Sequence, residues 1–382
     1  MSTSPTVPEP AARIYLIPGM FGFGTLAGFD YFVHLRHALQ KSWRLRGKEV
    51  AIEVVPTPPT SSIRYRAAML ASQVSAHATD GLPIHLIGHS TGGLDARLAL
   101  SPTTNLPVKV GQLDWTRRVE TLVTLNTPHY GTPLAGYFAT VSGTRVLYAL
   151  SLLTVVSLSA SEPSLAVFSR LLAALGGVDQ LLGGDSRLIS RATDMVLRYV
   201  DRNGRGEIRD FLSKVRLDQG GVIQLMPEAL DLFNAATEDC DHVRYGCVAA
   251  AAPPPVSLRI AKKVRSPYAA LTAGVYSTLY TFTSQAHKRY PYATPTPAER
   301  AQLLAGVRQE VDDRSNDGVV PTLSMLWGKL LWAGEGDHLD MLGHFHDDTP
   351  GTLHTDWMTS GAHFGADRFE DIIERVVGFQ WG

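Results

Sequence analysis

Six apolar runs of strand length punctuate the chain: ARIYLIPG (12 to 19), VAIEVVP (50 to 56), PIHLIGHS (83 to 90), VETLVTLNTP (119 to 128), HVRYGCVAAA (242 to 251) and KLLWAGE (329 to 335). Most are continuously apolar instead of alternating with polar residues, which predicts strands buried on both faces. Between and after them come helical patterns: SIRYRAAMLASQVSAHA (62 to 78), TGGLDARLAL directly after Ser90, and the amphipathic ADRFEDIIERVVGF near the C-terminus. Strands alternating with helices predict an α/β architecture, a mostly parallel, doubly wound sheet.

From 134 to 235 the alternation stops and helical patterns take over. The segment 133 to 178 carries only Arg145, Glu162 and Arg170 as charges. The uncharged run from Val146 to Ala160 falls short of the ~20 residues a spanning helix needs. A helical cap or lid over the sheet is expected, with an apolar face that meets a lipid interface or packs as core. The chain thus divides into a first core part (1–133), the cap (134–235) and a second core part (236–382). AAAPPP (250 to 255) reads as a local turn, and there is no internal repeat.

Composition narrows the partners. Lys and Arg number 35 against 36 Asp and Glu, so no basic surface for nucleic acid is expected, and no obligate protein partner is evident. The N-terminal MSTSPTVPEPAARIYLIPG lacks a basic segment followed by a long apolar core, so it does not read as a secretory signal and a cytoplasmic location is expected. Secretion with a signal removed is the alternative. Cys240 and Cys247 are expected as reduced thiols, with a short-loop disulfide as the alternative.

One strand ends in chemistry. Gly88-His89-Ser90-Thr91-Gly92 fits G-x-S-x-G, in which a serine occupies a sharp strand-to-helix turn and glycines admit the close neighbours. A serine hydroxyl needs a histidine to take its proton and a carboxylate to orient that histidine. On such a fold they follow in the order Ser, Asp or Glu, His. Asp317 stands in SNDGVVP, where Gly318 permits an unusual backbone angle and the carboxylate is expected exposed at a strand edge; His338 stands in GDHLDMLGHF after the last strand. Asp312, Asp313 and Asp337 are rival acids, and His344 and His346 rival bases. Asp95 and Arg97 are expected to pair with each other on the helix after Ser90. Phe21, Phe23 and His89 are candidates for the wall of the substrate site.

GHSTGGLDAR, TLNTPHYGTPLA, SNDGVVP and DHLDMLGHF, with IPGMFGFGT near the start and LMPEALDLFNA at 225 to 236, resemble the bacterial triacylglycerol lipase and esterase group of the α/β-hydrolase superfamily. The resemblance covers most of the chain outside the cap. It implies Ser90, Asp317 and His338 as the triad, and backbone N–H groups of Met20 and Thr91 as the oxyanion donors. Where the family carries His-Gly before the first donor this chain has Pro18-Gly19, so the oxyanion loop needs another support. The resemblance also implies a calcium ion held by Asp340, although no cofactor is required for the chemistry.

His338, Asp340, His344, His346, Asp347 and Asp348 crowd within eleven residues, but their spacing matches no strong zinc pattern. The sequence predicts a serine carboxylic ester hydrolase, a lipase or carboxylesterase acting on medium- or long-chain acyl esters. Alternatives on the same fold are an acyltransferase or a polyester depolymerase. From another class comes a non-catalytic protein that binds apolar ligands.

Overall fold

The computed structural model of the chain describes residues 9–22, 25–26, 29–140, 147, 151, 194, 197, 204–255, 258–286, 289–347, 354 and 356–382. All six predicted strands form. In chain order the elements begin with β1 (Ala12–Ile17), a two-residue ribbon β2 (Thr25–Leu26) and β3 (Phe29–Asp30), then α1 (Val33–Leu45) and β4 (Val50–Val54). They continue with α2 (Ile63–His77), β5 (Ile84–His89), α3 (Thr91–Leu100), β6 (Val119–Leu125) and α4 (Pro133–Phe138). After the cap region come α5 (Arg205–Leu217), α6 (Gly220–Gln224), α7 (Pro227–Ala236) and β7 (Arg244–Ala251). The last part holds α8 (Leu258–Lys263), α9 (Pro267–Thr283), α10 (Pro297–Val307), β8 (Lys329–Glu335) and α11 (Ala366–Trp381).

The main sheet has the order β4-β1-β5-β6-β7-β8, and every pairing is parallel. All six residues of β5 are buried, as a central parallel strand covered on both faces requires. One face carries α1 and α11. The latter turns Phe369, Ile372, Ile373, Val376 and Val377 inward, the i, i+3, i+4, i+7, i+8 stripe of a helix with one apolar side. The other face carries α2 and α3, with Ile63, Ala67, Leu70, Ala71 and Val74 of α2 packed against Leu86 and Leu122. Because all strands run the same way, the loops at their C-terminal ends share one edge of the sheet.

The second core part also carries α8, α9 and α10, in a stretch that the sequence pattern leaves unassigned. Capping chemistry explains them. Ser266 caps α9 through Ala269 N with Pro267 following, and Thr296 and Glu299 form a reciprocal capping box at α10. Helices α4 and α5 to α7 lie at the two ends of the segment expected as a cap, and its middle, including most of the run from Val146 to Ala160, lies outside the described residues. Among the described residues no helix is long and apolar enough to cross a membrane. Both cysteines are free thiols, and burial pushes Cys247 up to about 12.

Candidate active site

Ser90 follows β5 immediately and takes φ +52°, ψ −127°, a conformation side chains rarely adopt and one that marks a functional turn. The glycines of the motif are there for space. A Cβ on Gly88 would sit 2.5 Å from Gly93 N, and one on Gly92 would sit 2.2 Å from Ile17 O.

Asp317 is wholly buried, not exposed at a strand edge as expected. A two-residue antiparallel bridge, Asn316 to Pro321, folds its loop, and Gly318 takes φ +98°. Asp317 Oδ1 accepts from Val319 N and Val320 N at 2.8 and 2.7 Å, while Oδ2 lies 2.6 Å from His338 Nδ1. Three groups thus surround this one carboxylate. His338 N–H also donates to Asp317 O at 3.0 Å, so acid and base are fixed to each other through both backbone and side chain. The ring's other nitrogen, Nε2, is the one available to a cavity group.

The rival residues are occupied otherwise. Asp337 accepts from Ser360 Oγ, Leu339 N and Asp340 N, and burial pushes its carboxyl up to about 7. Asp312 caps its own turn through Arg314 N, Ser315 N and Ser315 Oγ, and Asp313 is exposed. His344 bonds Tyr31 O through Nε2 and stacks on Trp357, with burial lowering it to about 3. His346 is exposed.

Ser90 and His338 line one cavity of about 190 Å³ together with Met20, Phe21, Tyr31 and a mostly apolar wall. Leu134 and Phe138 of α4, Val222 of α6, and Leu271, Val275 and Leu279 of α9 supply that wall. The contribution of α9 had no counterpart in the sequence reading. Its signal was present: Ser-Pro opens seventeen residues without a charge. Phe23 lies outside the described residues. His89 corrects an expectation: it is buried behind Ser90, absent from the cavity wall, and bonded through both ring nitrogens.

The loop at 18–22, expected to carry an oxyanion donor, lies against the elbow, where a Cβ on Gly19 would sit 2.6 Å from Ser90 Cβ. Phe21 (φ +60°) spends its N–H on Pro59 O, and Gly22 spends its own on Gly19 O. That leaves Met20 N–H, and Thr91 N–H opens α3, where a helix has amides to offer. The support that replaces the histidine is Arg66. Buried in the apolar face of α2, it donates to Pro18 O at 2.6 Å and Pro58 O at 2.5 Å and pairs with Asp95 at 2.8 Å. Its signal in the sequence was an arginine three residues after Ile63, inside the stripe that continues through Ala67, Leu70 and Val74.

The expected pairing of Asp95 with Arg97 is therefore wrong. Asp95 faces Arg66 on the α2 side, and although burial pushes it up to about 6 it stays ionised at neutral pH beside that guanidinium. Arg97 turns away, 3.4 Å above the Trp327 ring and 3.7 Å from Asp239. Residues two apart on a helix do not face each other.

Asp340, the residue the resemblance assigns to calcium, accepts Asp337 N–H through Oδ2 at 2.8 Å, and burial beside Asp337 and Asp356 raises its carboxyl well above the usual range. Among the described residues no group of three His, Cys, Asp or Glu could hold a metal ion. Asp348, of the expected cluster, lies outside them.

A parallel sheet with a serine at a strained strand-to-helix turn and a buried His–Asp pair at the same edge defines the α/β-hydrolase fold, and the chain has that fold. No family model matches it. A 99-residue portion is 36% identical to a triacylglycerol lipase of Vibrio cholerae serotype O1, covering 25% of this chain and only 30% of that relative's length. EstA from Clostridium botulinum matches at TM-score 0.52 and 16% identity over 98% of this chain and 89% of that one. Staphylococcus hyicus lipase matches at TM-score 0.50 and 16% identity over 100% and 99%.

Proposed function

We propose that this protein is a serine carboxylic ester hydrolase, a lipase or carboxylesterase acting on esters of medium- or long-chain acids. The observation that carries this reading is the 2.6 Å His338–Asp317 contact at the wall of the cavity that also holds Ser90 in its strained turn. Ser90 Oγ attacks the ester carbonyl as its proton passes to His338 Nε2, forming a tetrahedral oxyanion. The N–H groups of Met20 and Thr91 receive that oxygen; one such donor is worth about 10²–10³ in kcat. The C–O bond to the alcohol breaks as His338 returns the proton to the leaving oxygen. Water, deprotonated by the same histidine, then attacks the acyl-enzyme and releases the acid. Asp317 keeps the proton on Nδ1 and steadies the imidazolium while it lasts.

The acyl preference is supported by the cavity wall, which is lined mainly by Leu, Val, Phe and Met side chains that reward buried methylenes. Rates across p-nitrophenyl esters from about C2 to C16 test it, with kcat/KM expected to rise by up to about tenfold for each two or three methylenes buried. The highest kcat/KM on the shortest esters contradicts the chain-length part and leaves the triad standing.

A further inference from the structure

His89 is the elbow residue that the chemistry above leaves unused, and its surroundings assign it a task. It is 1% exposed and both ring nitrogens have partners: Nδ1 lies 2.9 Å from Tyr31 Oη and Nε2 lies 2.9 Å from the backbone oxygen of His338. A carbonyl oxygen only accepts, so Nε2 carries the hydrogen. Nδ1 is then a bare acceptor and the Tyr31 hydroxyl must donate. One neutral tautomer satisfies every group, and the environment keeps it: burial holds His89 well below the usual imidazole range, with His338 nearby adding to this, and burial pushes the Tyr31 hydroxyl up.

His338 needs such a partner. It lies between the end of β8 at Glu335 and a single 3-10 turn at Asp340–Leu342, so no strand ladder or helix sets its backbone. Its N–H is fixed by Asp317 O, and its carbonyl by His89 Nε2–H. Ring centroids of the two histidines lie 4.7 Å apart. Resting on the triad reading above, we propose that His89 is a positioning residue: it locks the 338–339 peptide to β5, so that nucleophile and base are carried by one rigid strand end. The x of G-x-S-x-G thereby becomes the link between the elbow and a loop 249 residues further along the chain. A bond to the backbone carbonyl restrains the peptide that carries the reacting imidazole, while the contact of Nδ1 with Asp317 sets the ring's tautomer.

The test compares His89→Phe, His89→Gln and Tyr31→Phe with the unaltered protein, measuring kcat and KM on a p-nitrophenyl ester, Ser90 labelling by a fluorophosphonate, and thermal melting. His89→Phe fills the volume without either bond and is expected to lower kcat by about 10²-fold, the cost of a misplaced base, with KM within about threefold. His89→Gln places an amide N–H near the Nε2 position and is expected to recover at least about tenfold of that loss. Tyr31→Phe is expected to lower kcat severalfold alone and to add little to His89→Phe, since both act on one chain of bonds. Wild-type kcat in folded His89→Phe, or equal loss in the Phe and Gln variants, overturns the proposal. If His89→Phe does not fold, Tyr31→Phe decides: lower kcat at unchanged KM supports the link, and unchanged kcat overturns it. Absence of fluorophosphonate labelling in the unaltered protein overturns the triad reading and this proposal together, an outcome distinct from the others.

Discussion

The two loops that flank Ser90 are held by opposite means. The loop at 18–22, the oxyanion loop of the proposed mechanism, hangs on a buried ion pair, Arg66 to Asp95, whose guanidinium also donates to two backbone carbonyls. The histidine loop at 336–344 is held by hydrogen bonds, from neutral His89 on the sheet side and, on the other, to Asp337, which accepts from Ser360 Oγ, Leu339 N and Asp340 N. The difference follows from what each loop does on the proposed mechanism. Oxyanion donors are backbone amides that never change charge, so a fixed ion pair can hold them. His338 alternates between neutral and cationic on that mechanism; a neutral His89 behind it adds no charge of its own, and Asp317 is the carboxylate in direct contact with its ring.

Breaking the ion pair has the largest expected effect. Arg66→Leu leaves Asp95 buried without its cation and two carbonyls without donors, and should lower stability by about 3–5 kcal/mol, measured by urea unfolding. A loss below about 1 kcal/mol would mean that the pair is incidental. Next comes Gly19→Ala, whose Cβ would lie 2.6 Å from Ser90 Cβ and 3.2 Å from Ser90 Oγ. It should cut kcat by about 10²-fold through displaced donors, with the melting temperature nearly kept; unchanged kcat would place the oxyanion loop elsewhere.

The smaller effects concern pH. His85, held to about 4 by burial, has a folded pKa below its unfolded value, so its stability contribution is present above about pH 6.5 and is lost as pH falls toward 4. Asp337, pushed up to about 7, works the other way. Its contribution is complete below about pH 4 and is lost as pH rises through 7. Asp337→Asn, which keeps the acceptor for Leu339 N and Asp340 N, should therefore raise the melting temperature at pH 8 relative to the unaltered protein more than at pH 5. His85→Leu should flatten the acid side by up to about 1.4 kcal/mol per pH unit. The same pH trend in both variants would refute the opposed assignment.

Much of this was legible in the sequence because it depends on local pattern. Strand runs, the elbow at 88–92 and the turn at Asp317-Gly318 announce themselves through apolar continuity and glycine. What was not legible depends on long-range partners. Arg66 and Asp95 lie 29 residues apart, and only packing of α2 on α3 brings them together, so Asp95 was assigned to its sequence neighbour Arg97. His89 is expected in the substrate wall, whereas strand alternation turns the residue before Ser90 to the opposite side, onto Tyr31 and the His338 carbonyl. The bond from Asp337 N–H to Asp340 Oδ2 is likewise a feature of the folded loop and not of any sequence pattern.

The central claim is that Ser90 is an acylated nucleophile, and one measurement addresses it most directly: turnover of a p-nitrophenyl ester by Ser90→Ala, alongside intact-mass labelling of the unaltered protein by a fluorophosphonate. The account predicts loss of at least about 10³-fold in kcat and one phosphonyl group per chain, absent from the variant. Retained turnover in well-folded Ser90→Ala, or labelling that persists without Ser90, would contradict it.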